Sequence, residues 1–114
     1  RYCVENRASD LTQNPYLTFS LLAAAVTEGI DKNMKPPKAT NKSLYDLPEK
    51  EKKEVTSLPR NLLEAVDAFA EDKLVPQVFS KAMVNNFIGY KYDEWSRYHT
   101  TTTDWEIKEY LKLF

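Results

Sequence analysis

The stretch from Asn14 to Gly29 (NPYLTFSLLAAAVTEG) constrains the fold more than any other part of the sequence. Asparagine is a favoured helix N-cap. Proline suits the first helical position, where its missing N–H would have had no partner. From Tyr16 to Glu28 the run is apolar nearly all round, and Ala23, Ala24 and Ala25 let neighbours approach closely. Gly29 is the expected C-terminal stop. A helix apolar on more than one side has to be buried on more than one side. In a chain of 114 residues such a helix predicts packing against structure outside this sequence.

The rest of the chain reads as mostly helical. Arg1 to Arg7 alternates as a short strand, with Cys3, Glu5 and Arg7 on one face and Tyr2, Val4 and Asn6 on the other. Residues 31–58 form a polar connection in which Pro36-Pro37 favours extended backbone and Pro48 opens a brief turn. Leu62, Leu63, Val66, Phe69 and Ala70 fall at helical spacing and predict a helix from Pro59 to Glu71. A longer one is expected from Ser80 to Tyr98, with Met83, Val84, Phe87, Ile88, Trp95 and Tyr98 as its apolar stripe. Thr103-Asp104-Trp105-Glu106 fits a capping box, and Ile107, Tyr110, Leu111 and Phe114 continue the buried face of a last helix.

Composition narrows the chemistry. Sixteen basic against seventeen acidic residues give a net charge of −1, so no strong attraction to nucleic acid or to an anionic membrane follows. The longest apolar run, Leu21 to Val26, is far short of a membrane span. Cys3 is the only cysteine and His99 the only histidine, which excludes an internal disulfide, a multi-cysteine zinc site and a histidine-based metal cluster. The two glycines, Gly29 and Gly89, are too few for a glycine-rich phosphate loop. Ser20, Ser43 and the Thr100–Thr103 run have no histidine–acid arrangement around them. His99 reads as a cation favoured by a helix C-terminus. Tyr90, Tyr92, Trp95 and Tyr98 read as core packing rather than a base-stacking platform, given Asp93 and Glu94 beside them. Glu49 to Glu54 mixes both signs and reads as a solvated surface.

Several stretches, taken in order, resemble the glutamine synthetase family. Glu5-Asn6-Arg7, then Asp10, then Asn14-Pro15-Tyr16-Leu17 look like its E-x-R…D…NPYL signature. Glu28-Gly29-Ile30, Leu44-Tyr45-Asp46-Leu47-Pro48, Leu58-Pro59-Arg60-Asn61-Leu62, Glu64-Ala65, Asp72, Lys91, Glu94-Trp95, Thr103-Asp104-Trp105-Glu106 and Tyr110-Leu111 follow in family order. The final third is most similar to the branch that includes γ-glutamylmethylamide synthetases, with ordinary glutamine synthetases as the other reading. The chain departs from the pattern at Cys3, where many relatives carry a basic residue near the nucleotide phosphates.

The resemblance implies a fold and a chemistry. Residues 1–114 would be the C-terminal helical segment of an α+β catalytic domain, predominantly α with one N-terminal strand, and incomplete as a domain. The complete protein would be a cytoplasmic, ATP-dependent ligase that forms a γ-glutamyl amide from glutamate and ammonia or an amine through γ-glutamyl phosphate, with Mg²⁺ or Mn²⁺. Glu5 would be a carboxylate ligand of one such ion, and Arg7 would contact glutamate or the transferring phosphate. Tyr45 aligns with a tyrosine that some bacterial relatives adenylylate; its plainer reading is a loop anchor beside Leu44 and Leu47. The upstream catalytic polypeptide and identical subunits in a ring are the implied partners, and the 114-residue chain alone is expected to be inactive. The competing reading is a scaffold or interaction subunit that keeps this segment without catalysis.

Overall fold

The computed structural model describes residues 3, 5–37, 39, 41, 43–53 and 55–113, apart from the side chain of Leu44. Asn14 starts the first helix as expected: its Oδ1 accepts from the backbone N–H groups of Tyr16 and Leu17 at 3.0 and 3.4 Å. This helix, α1, spans Pro15–Asp31. Gly29 does not end it. Lys32 is the C-cap, and the left-handed position falls on Asn33, at φ 48°. The Met34 N–H donates to the Gly29 carbonyl at 2.9 Å and the Asn33 N–H to that of Ile30 at 3.0 Å, the paired closure of a Schellman motif. Glycine inside a helix costs only ~1 kcal/mol, and asparagine tolerates the left-handed region, so the stop lies four residues later than the glycine suggests.

The connection that follows holds a single 3₁₀ turn, Leu44–Asp46, and a short helix α2, Glu49–Lys52, behind Pro48. Three further helices are α3 (Leu62–Glu71), α4 (Val75–Val78) and α5 (Lys81–His99). α3 starts three residues later than Pro59, because Asn61 is its cap: Asn61 Oδ1 accepts from the Glu64 N–H at 2.9 Å. The Glu64 carboxylate reaches back to the Arg60 N–H at 2.9 Å and to its guanidinium at 3.0 Å, which holds Glu64 below the usual carboxylate range. Ser80 caps α5. α5 packs against α3, with the Phe69 and Phe87 rings 5.1 Å apart and the Tyr92 hydroxyl donating to Asp67 Oδ1 at 2.6 Å. α4 bridges α1 and α5.

The final helix, α6 (Asp104–Tyr110), carries the full capping box: Glu106 N–H to Thr103 Oγ1 at 3.2 Å and Thr103 N–H to Glu106 Oε2 at 2.7 Å. The Thr103 hydroxyl also donates to Glu106 Oε2 at 2.8 Å, and the backbone bond first and the hydroxyl bond second hold the Glu106 carboxyl below its ordinary range. A folded-state pKa below the unfolded one means the cap's contribution is complete above the ordinary glutamate range and is lost as pH falls through the lowered value. A carbon-13 NMR titration of the Glu106 carboxyl is expected to show a midpoint below that of an unstructured glutamate. A midpoint at or above it contradicts the cap.

Two expectations fail here. Residues 3 and 5–7 form no strand, and residues 1, 2 and 4 of the expected strand lie outside the described residues. A strand is held by its ladder to a neighbour, and among the described residues there is no other strand to pair with. The apolar face of α6 is not buried either: Ile107, Tyr110 and Leu111 are exposed, as is Trp105, and Phe114 lies outside the described residues. The same holds for Tyr90, Tyr92 and Tyr98 on α5, which were expected in the core. The chain is thus predominantly α, with its apolar surface largely uncovered.

The buried hydrophobic side chains among the described residues are Leu47, Val66 and Val75. The chain exposes 10,821 Å², whereas a closed monomer of 13.2 kDa exposes about 6,400 Å². Its radius of gyration is 18.8 Å, against ~13 Å for a compact domain of this length. Along α1, Tyr16, Phe19, Leu22, Val26 and Ile30 are exposed. Among the described residues the ion pairs are all local: Glu5–Arg7, Glu28–Lys32, Glu49–Lys52, Arg60–Glu64, Lys91–Glu94 and Asp93–Arg97.

Candidate functional site

The segment leading into α1 is shaped by side chains bonding to nearby backbone. Asn6 Oδ1 accepts from the Ala8 N–H at 2.9 Å. Asp10 Oδ1 accepts from the Thr12 hydroxyl at 2.6 Å and the Thr12 N–H at 2.7 Å, and these bonds hold Asp10 below the usual carboxylate range. The Gln13 N–H then donates to the Asp10 carbonyl at 3.2 Å, and Asn14 caps the helix. Such short polar side chains offer the backbone an alternative to a ladder, which is why this stretch turns instead of extending.

Within this segment the structure brings Glu5 and Arg7 together. Arg7 Nε donates to Glu5 Oε1 at 2.7 Å, with the two side chains 69% and 83% exposed for Glu5 and Arg7 respectively. Their heads meet, yet both side chains stand in solvent. An exposed pair of this kind is worth ~0–1 kcal/mol, so nothing in its energetics makes it a structural fixture. Asn6, between them, lines an apolar groove of about 440 Å³ together with Leu21 of α1, Phe69 of α3 and Val75 of α4. Neither Glu5 nor Arg7 lines that groove.

The other singled-out residues are dispersed. Tyr45 is 94% exposed on the 3₁₀ turn, so it is not the expected anchor; Leu47, at 7%, is. Cys3 is exposed. His99 is the last residue of α5 and stacks on Trp95 at 5.7 Å between ring centroids. Gly29 and Gly89 both sit inside helices with negative φ, so neither forms a phosphate-cradling loop.

Hard divalent cations need several oxygen donors. Among the described residues no three histidine, cysteine, aspartate or glutamate side chains gather where they could hold one. The described donors therefore do not by themselves gather into such a site. No described helix is long and apolar enough to cross a membrane. Sequence reasoning missed Asn6, Asp10 and Thr12 as turn-formers, although the D-x-T spacing signals that turn. It also missed the Asp67–Tyr92 bond, which joins residues 25 apart and leaves no local signal.

Residues 1–110 match the family model described as glutamine synthetase, catalytic domain. The chain belongs to that family. Among its relatives, a glutamine synthetase of Methanocaldococcus jannaschii is 36% identical over 110 residues, covering 95% of this chain and 24% of the relative. One from Methanococcus voltae is 34% identical over 112 residues, covering 96% and 25%, and one from Clostridium saccharobutylicum is 34% identical over 113, covering 97% and 26%. This glutamine synthetase family segment thus spans about a quarter of the length of the curated relatives it matches.

Proposed function

We propose that residues 1–114 are the C-terminal portion of a glutamine synthetase-like catalytic domain, incomplete by themselves, and that the complete protein is an ATP-dependent carbon–nitrogen ligase. The observation that carries this reading is the family match over residues 1–110. The γ-phosphoryl group of ATP passes to an oxygen of the glutamate γ-carboxylate, releasing ADP. The lone pair of ammonia or an amine then attacks the acyl carbon. The bond from that carbon to the phosphate oxygen breaks, inorganic phosphate leaves, and the nitrogen loses a proton.

Arg7 carries the substrate role. Its planar fork of donors suits a carboxylate or a transferring phosphoryl group and offsets the charge that develops there. Glu5 supplies one oxygen to a Mg²⁺ or Mn²⁺ ion whose other ligands come from the upstream polypeptide. The ion pair between Glu5 and Arg7 supports the assignment to the extent that both heads already meet at one point. The upstream polypeptide and identical subunits in a ring are the partners we assign to the exposed helices, with the cytoplasm as the compartment.

Phosphate release measured on the complete protein with glutamate, ATP and each of ammonia, methylamine and larger amines tests the reaction and identifies the acceptor. Release with at least one amine is expected. Absence of release with every amine overturns the ligase reading. Intact mass of the natural polypeptide addresses the scaffold alternative, since a mass near 13.2 kDa would leave no room for a catalytic remainder.

Tyr45 is the modification site in this reading, supported by its 94% exposure on a turn held by buried Leu47. Tandem mass spectrometry of protein isolated from its source is expected to find an adenylyl group on the Tyr45 peptide under some growth condition. Its absence under nitrogen-rich and nitrogen-poor growth alike removes the assignment.

A further inference from the structure

We draw no further inference here: the strongest candidate, the apolar groove between α1 and the α3–α4 corner lined by Leu21, Phe69 and Val75, is an unpartnered face for which nothing in the structure shows what covers it.

Discussion

Residues 1–114 expressed alone are expected to run as oligomers or aggregates and to unfold without a cooperative transition. The chain's 10,821 Å² of accessible surface exceeds that of a closed 13.2 kDa monomer by roughly 4,400 Å². An area of that order is what obligate interfaces remove from water. Against it stand a few buried side chains: Leu47, Val66 and Val75. Fixing each residue costs ~1–2 kcal/mol of conformational entropy, and a core this small does not offset that over a hundred positions. Size-exclusion chromatography with near-UV circular dichroism provides the test, repeated after adding the upstream polypeptide. Order is expected only in the second case. A monodisperse monomer with a sharp thermal transition would show that the chain closes its own core, and the stand-alone scaffold reading would move ahead.

In the complete protein, Glu5→Gln and Arg7→Lys are each expected to lower kcat by at least ~10²-fold, the scale seen when one preorganised electrostatic group is removed. Glutamine keeps the shape of Glu5 but loses the anionic oxygen. Lysine keeps the charge of Arg7 but cannot reproduce its paired, coplanar donors. A circular-dichroism spectrum and thermal midpoint matching the parent's in each variant would assign a lost rate to chemistry. Near-normal kinetics in both variants would reduce the pair to an ordinary surface contact.

What could be read from the sequence was what depends on a few adjacent residues. Thr103 and Glu106 announce the start of α6 because both partners of the capping box lie within one turn. Asn14 and Ser80 place the starts of α1 and α5 for the same reason. The end of α1 was misplaced because Gly29 and Asn33 could each take the stop, and only the Met34 and Asn33 backbone bonds decide between them. The strand failed because its stability depends on a neighbour that local pattern does not reveal. Burial was harder still. The period that marks Tyr98, Ile107 and Tyr110 as apolar-face residues says which side they share, not whether anything lies against it. For the site, the pattern put Glu5 and Arg7 on one side, and the structure shows them meeting.

Among the described residues the six ion pairs each close within five residues of chain, and none of them ties one helix to another. Polar attraction between elements rests instead on the Tyr92 hydroxyl of α5 donating to the Asp67 carboxylate of α3. With a net charge of −1 there is also no long-range field to steer a partner in or to reject a wrong one. For the partner we propose, the apolar contour of Tyr16, Phe19, Val26, Ile30, Trp105 and Ile107 on α1 and α6 is then what an incoming surface would have to match.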